Sequence, residues 1–273
     1  MAIITNFITI FCEKEEVALH GYAFFRIRVI LNQIIFSNRI GFIMEKQIRS
    51  KQRVADHGEV FTAEREVNAM LDLVKQETER VDSRFLEPAC GDGNFLAEIL
   101  RRKLAEVRRK YRKSPFDYEK NAVLAISSLY GIDLLRDNVL LCRGRLFGIW
   151  DEEYKKVCKK ETNDQTREAV RFILSRNIVC GNALTLMCVD ENGVDTAEPI
   201  VFSEWAFITG TQMQRKDYTL DELVNGKPTS RPSPTDDGQM VLFGDEKEVP
   251  DPEGKFLAQY VTHYRRLGEN DTV

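Results

Sequence analysis

Histidine is scarce: the chain's 273 residues hold three. The cysteines, Cys12, Cys90, Cys142, Cys158, Cys180 and Cys188, include no C-x-x-C pair. Together these argue against a Cys/His zinc centre, and no metal site is expected. No apolar run reaches the roughly 18 uninterrupted residues that a membrane-spanning helix needs. The N-terminus also lacks the basic leader and small-residue cleavage site of a signal peptide. There is no global basic excess either, since the net charge is −4 with 30% charged residues. Any contact with nucleic acid must then be local or come through a partner. Cys90 and Cys180 stand in apolar, strand-like surroundings. Reduced, buried thiols in a cytoplasmic protein are the economical reading.

What the chain does have is a stretch around which the rest is organised: residues 85–96, FLEPACGDGNFL. Phe85 and Leu86 end an apolar run suited to a buried strand. Gly91 and Gly93 permit a tight turn and close approach of a ligand to the backbone. From Asn94 the pattern turns helical. A strand, a Gly-rich turn and a helix N-terminus make a nucleotide-type site, with backbone N–H groups aimed into the turn. Glu87, at the strand's end, can accept hydrogen bonds from a ligand amine or hydroxyl. The plain alternative is an ordinary βα turn whose glycines serve geometry alone.

Upstream, residues 1–43 alternate apolar stretches with a charged break, CEKEE, and Met44 opens a sequence of hydrophilic character. The expectation is a functional start at Met44, with residues 1–43 an atypical apolar extension the fold does not need. A short appendage that docks on a partner is the alternative. Val67, Met70, Leu71 and Val74 fall at i, i+3, i+4, i+7, one face of a helix, with Thr62 as its expected N-cap. Beyond the loop, Leu96, Ile99, Leu100, Leu104 and Val107 give the buried stripe of a helix over 94–113. Its far end carries Arg101, Arg102, Lys103, Arg108, Arg109, Lys110, Arg112 and Lys113. At 1.5 Å per residue that end lies roughly 30 Å from the loop, and cations there complement the helix dipole. A solvated basic face is expected, not a DNA-binding one.

Pro115 stops this helix. A second helical stretch, Ala122 to Leu129, leads into YGIDLL. Asp133 then ends a second strand, where Rossmann-like sheets place an acceptor for ribose hydroxyls. It stands roughly 40 residues past the glycines, against the usual ~20. RDNVLLCRGRLFGIWDEEYKKVC reads as an amphipathic helix, and residues 163–174 as a charged loop and helix. Ile178 to Cys180 form a third strand that ends in Gly181-Asn182-Ala183-Leu184. After Pro199, IVFSEW reads as a fourth strand.

The wording E-P-A-C-G-D-G-N-F-L resembles the S-adenosylmethionine loop of the adenine-specific DNA methyltransferases of restriction–modification systems. In that family a phrase G-x-V/F-F/Y-T-P stands upstream, and its aromatic and Thr line the methionine end of the cofactor pocket. Here Gly58, Val60, Phe61 and Thr62 match, and Ala63 replaces the Pro. GEVFT, EPACGDGNF, GIDL and GNAL occur in the family's order across residues 58–184. The resemblance implies an α/β, Rossmann-like S-adenosylmethionine-dependent methyltransferase domain over residues 44–225. It also implies a cofactor held by Phe61, Thr62, Glu87, Pro88, Ala89, Gly91, Gly93, Asn94, Phe95, Asp133, Asn182 and Ala183. The family usually has Asp where Asn182 stands, accepting from the cofactor's adenine amine. The Asn amide oxygen can accept that bond without the charge.

The family's most diagnostic element is missing. No Pro-Pro pair occurs in the chain, so there is no N/D/S-P-P-Y/F/W tetrad. In the family this tetrad accepts the hydrogens of the target adenine's exocyclic amine and stacks an aromatic on the flipped base. Ser203-Glu204-Trp205 offers acceptors beside an aromatic in the corresponding place, and these three are the weak catalytic candidates. The fold is expected to be incomplete, limited to the first four strands.

Residues 226–254 hold five of the eight prolines and read as a disordered linker. Within them Gln239-Met240-Val241-Leu242-Phe243 resembles the Q-L-x-L-F pentapeptide by which bacterial replication proteins dock on the sliding clamp. A segment that packs on its own domain or on a partner is the alternative. In residues 255–273, Leu257, Tyr260, Val261 and Tyr264 share one face of an expected C-terminal docking helix. The whole points to the cofactor-binding subunit of a split adenine-N6 DNA methyltransferase, acting on duplex DNA through a partner chain that carries the base pocket and target recognition. The alternative is a non-catalytic S-adenosylmethionine-binding or regulatory subunit of a DNA-modifying complex. A third option is methylation of RNA or protein.

Overall fold

Apolar periodicity builds most of the helices where the sequence predicts them. The computed structural model describes residues 62–225 and 257–269, with short strands at 9–11, 27–29 and 247–248. Strands β1 (Thr9–Phe11) and β2 (Ile27–Val29) come first. Helix α1 (Glu64–Asp72) buries Val67 and Leu71. Ala63, not Thr62, takes its N-cap position, and no side chain caps it. A single turn, α2 (Lys75–Thr78), leads to β3 (Arg84–Glu87). Helix α3 (Asn94–Tyr111) buries its entire predicted stripe.

Helix α4 (Pro115–Ser127) starts where α3 stops. Pro has no N–H to lose at a first helical position, and the Ser114 hydroxyl accepts from the Asp117 N–H at 3.3 Å. There follow β4 (Leu129–Asp133), α5 (Arg136–Cys158), α6 (Asp164–Asn177) and β5 (Ile178–Asn182). The chain continues as β6 (Met187–Val189), β7 (Asp195–Pro199), β8 (Val201–Thr209), β9 (Gln212–Thr219) and α7 (Leu220–Asn225). It ends with β10 (Lys247–Glu248), β11 (Ala258–His263) and a 3-10 turn over Tyr264–Arg266.

The fold is mixed α/β. Strands β3, β4 and β5 pair in parallel, with Phe85 opposite Leu129 and Gly131 opposite Ile178. Antiparallel strands extend both edges, in the order β2-β1-β3-β4-β5-β6-β7. Part of the 1–43 stretch therefore lies in the sheet beside β3. A second sheet has the order β10-β11-β9-β8.

Two expectations need correction. IVFSEW is not a fourth strand of the parallel sheet; β8 pairs antiparallel with β9. The expected C-terminal docking helix is a strand, and the segment docks on its own chain. Tyr260 and Val261 suit a strand as well as a helix face, and the open edge of β9, with Arg215 opposite Tyr260, decides the outcome.

Side chains alternate across the parallel strands. Phe85, Leu129 and Ile178 face α1 and α3–α6 in one large core. Leu86, Tyr130 and Ile132 face the other way and meet Ile200, Phe202 and Leu220. Strand β8 crosses the beginnings of the parallel strands. There Arg84 pairs with Glu204 at 2.6 Å, the Tyr130 hydroxyl donates to the Ser203 carbonyl at 3.0 Å, and the Trp205 indole N–H donates to Asn177 at 3.1 Å. The opposite edge, at the strand ends, is left for the loops. Among the described residues no helix is long and apolar enough to cross a membrane.

Two buried charges lock these layers. Lys103 is fully buried, a correction to its place in the basic face. Its ammonium donates to the Val81 carbonyl at 3.1 Å, to the Ser83 carbonyl and to the Ser128 hydroxyl. Arg102 is also part-buried, pairing with Asp72 and donating to Asn68 of α1, while Arg108 and Arg109 are exposed and paired with Glu153 and Glu106. Glu119, 2% exposed, accepts from the Tyr154 and Tyr264 hydroxyls and from Arg265 at 2.7 Å. It fastens the C-terminal segment to the helix layer. Removing one partner from such a buried set leaves the others unsatisfied. Glu119→Gln is expected to cost about 3 kcal/mol in urea unfolding; a loss within about 0.5 kcal/mol, as for an ordinary surface substitution, would show that the contact holds nothing.

Candidate functional site

The end of β3 and the turn into α3 form the open edge. Cys90 donates its N–H to the Ile132 carbonyl at 2.9 Å, so the loop stays against β4. Gly91 and Gly93 have φ of 53° and 83°, the left-handed region that disfavours a side chain. Gly93 is also the N-cap of α3, and a Cβ there would lie 2.6 Å from the Cys142 sulfur of α5. That position admits no side chain for two separate reasons.

Asp133, at the end of β4, holds the loop. Its Oδ2 accepts the Gly91 N–H at 2.8 Å. Its Oδ1 accepts the Leu135 N–H at 2.8 Å and the Asn138 amide at 3.2 Å. Arg145 of α5 reaches the same loop, donating to Asn94 at 2.6 Å and lying 3.3 Å from Asp92. Nothing in the sequence marked Arg145, because it reaches back across some 50 residues from within an amphipathic helix.

Glu87 differs from these. It is 6% exposed, and among the described residues its Oε2 has no hydrogen-bond partner. Burial pushes its carboxyl well above the usual carboxylate range, and nearby Cys142 and Asp133 push it the same way; the Leu96 backbone N–H opposes them. The Cys90 thiol is also pushed up, first by its hydrogen bond with Cys142 and then by burial, so it is no ready nucleophile.

The structure gathers some predicted residues and scatters others. Glu87, Pro88, Ala89, Gly91, Gly93, Asn94 and Asp133 share this edge, and Asn182 ends the neighbouring strand β5, with Ala183 in the turn just beyond it. Phe95 is 2% exposed and belongs to the core. Thr62 is half-buried at the entry to α1. Phe61 lies outside the described residues, as do Gln239, Leu242 and Phe243.

Ser203, Glu204 and Trp205 are at the opposite edge, each committed to the fold. Ser203 donates to Asp217 at 2.6 Å, Glu204 pairs with Arg84, and Trp205 is 3% exposed against Asn177. Among the described residues no group of three or more His, Cys, Asp or Glu is placed to hold a metal ion. The chain matches no protein-family model, and the searches of curated proteins and of solved structures find no match either.

Two outcomes follow. Gly93→Ala is expected to destabilise the protein by roughly 2–4 kcal/mol, combining left-handed strain with the clash. Cys142→Ala in the same chain should recover the clash and leave the strain, which equilibrium unfolding of the double variant would read. For Glu87, a raised folded-state pKa contributes stability that is complete below the ordinary carboxylate range and is lost as pH rises through the folded value. The melting temperature of Glu87→Gln relative to the unsubstituted chain should therefore climb from pH 4 to pH 8. A gap that stays constant would mean that Glu87 ionises normally.

Proposed function

We propose that this chain is the S-adenosylmethionine-binding subunit of a split adenine-N6 DNA methyltransferase, with β3, β4 and β5 as the cofactor half of a Rossmann-like sheet. The observation that carries the reading is the buried oxygen of Glu87 at the head of the glycine loop, which has no hydrogen-bond partner among the described residues. A buried carboxyl oxygen without a donor costs about 1–3 kcal/mol. An ammonium such as that of a bound methionine moiety supplies the donor and favours the charged form. The loop wording and the order of its companion phrases support the same ligand.

When bound, S-adenosylmethionine supplies an electrophilic methyl on a sulfonium. The chain's own part is to bind and orient. Glu87 takes the amine, the backbone of Gly91 and Gly93 allows close approach, and Asp133 with Arg145 keeps the loop in place. The absence of the tetrad and the structural commitment of Ser203, Glu204 and Trp205 favour an acceptor-base pocket on a partner chain, which would also carry recognition of duplex DNA. The same facts are compatible with a non-catalytic regulatory subunit that keeps the cofactor.

Calorimetric titration tests this. The chain is expected to bind S-adenosylmethionine, to release a proton in doing so, and to lose at least about tenfold in affinity on Glu87→Gln. Alone it should not methylate DNA. Absence of binding would overturn the cofactor reading, and robust methylation by the single chain would overturn the split.

A further inference from the structure

Exposed cations on the helices commonly pair with an acid. Arg101 lies 3.5 Å from Glu98, Lys156 2.7 Å from Glu152 and Arg171 2.5 Å from Glu168. Four cations at one end of the helix layer differ. Arg112 and Lys113 follow α3, and Lys159 and Lys160 follow α5. All four are exposed, and among the described residues none makes a side-chain hydrogen bond or an ion pair. The two turns that carry them are held side by side. The Cys158 thiol donates to the Pro115 carbonyl at 3.5 Å, and Arg108 of α3 pairs with Glu153 of α5 at 2.9 Å. The exposed acids on these turns are Asp117 and Glu161, so four cations stand against two acids.

Lys159 has φ 51° and ψ −110°, a backbone in which a residue with a Cβ is strained. The other non-glycine with positive φ among the described residues, Leu186, packs against the smaller core. Lys159 is exposed, and glycine in its place would relax the turn. Strain retained beneath an exposed charge points to a contact outside the fold.

We infer that the α3–α4 and α5–α6 turns together grip the phosphate backbone of nucleic acid without reading its sequence. Packed helices lie about 8–10 Å apart, so the two cation pairs span about three phosphates of one strand, at roughly 3.4 Å each. The basic end of α3 is then more than a solvated face. It lies about 27 Å along the helix from the glycine loop and takes no part in chemistry there. The choice of nucleic acid among polyanions rests on the functional reading above. An anionic membrane fits less well, because the large apolar side chain these turns offer for insertion is Phe116, 47% exposed, and stable anchoring takes more than one such group.

Fluorescence anisotropy with a labelled DNA duplex tests this. The full chain is expected to bind duplexes of different sequence equally, with a log–log salt slope of about −3 to −4, at roughly −0.9 per phosphate contact. Arg112→Gln with Lys113→Gln, and separately Lys159→Gly with Lys160→Gln, should each flatten the slope by about 2. Lys159→Gly alone should raise the ligand-free melting temperature while flattening the slope by about 1, a combination that a merely structural residue would not give. Lys75→Gln, which removes an exposed cation paired with Glu79 on another helix, should leave the slope unchanged. The full slope in both paired variants, or an equal loss in Lys75→Gln, would overturn the assignment, and so would binding to phosphatidylserine vesicles but not to DNA. A chain that binds S-adenosylmethionine and no DNA overturns this inference alone. One that binds DNA through these turns and no S-adenosylmethionine removes only the cofactor reading.

Discussion

The carboxylate of Asp133 is the contact on which the open edge depends. It gathers three donors from three places: Gly91 of the loop, Leu135 just beyond β4, and Asn138 in the first turn of α5. Hydrogen bonds to a charged acceptor are stronger than neutral ones, so this one group fixes the loop relative to both strand and helix. Helix α5 then brings Cys142 against Gly93 and Arg145 against Asp92 and Asn94. The loop is thus preorganised before any ligand arrives. Change at Asp133 acts on the fold first. Glu87 is the reverse case, because its Oε2 makes no hydrogen bond to any of the described residues.

The two edges of the parallel sheet have been put to different uses. At the strand beginnings, the second sheet makes a charged seal. Asp217 accepts from Ser203 and pairs with Arg176 at 3.0 Å and with Arg215 at 3.1 Å, while Arg84 pairs with Glu204. Arg215, 2% exposed, also lies 4.0 Å over the Tyr260 ring of β11. The acceptors of the Ser-Glu-Trp triplet are consumed in this seal. They cannot also serve chemistry at the far edge, about three residues of extended chain away, or roughly 10 Å.

How much of this the sequence showed depended on whether burial was apolar. The stripe of α3 was legible because Leu, Ile and Val repeat at helical spacing, and the span of α5 because Val139, Cys142, Leu146, Trp150 and Tyr154 do. Strand β9 was hidden, since its inward positions are Met213, Arg215, Asp217 and Thr219. They alternate with period two, but two are charged, and these pair with each other and with side chains of α6, β8 and β11. Lys103 was misread for the same reason. A cation in a basic run looks solvated unless its acceptors, here Val81, Ser83 and Ser128, are known. At the site, Glu87 and Asp133 were legible as strand-end acids. That Asp133 anchors the loop, and that Asp195 accepts from the Asn182 amide, depend on contacts between distant segments, which carry no local pattern.

Among the described residues five ionisable side chains of Asp, Glu, Lys and Arg are buried: Glu87, Lys103, Glu119, Arg215 and Asp217. The last four meet partners that tie one element to another, and their cost is offset within the fold. Glu87 ties nothing through Oε2. Among the described residues Tyr118, Trp150 and Thr166 also leave a buried polar atom without a hydrogen bond, but these are neutral groups within the helix layer, where a missing bond costs less. A domain stable by only about 5–15 kcal/mol retains an unsatisfied carboxyl at a ligand-facing loop at a real cost to the ligand-free state. A ligand that donates to this oxygen removes that cost as it binds. The binding energy then includes the relief of a defect already in place, and the defect lies between two glycines' worth of open backbone and the first turn of α3. This coupling of local instability to ligand chemistry is why Glu87, more than the glycine spacing, supports the proposal of a site at this edge.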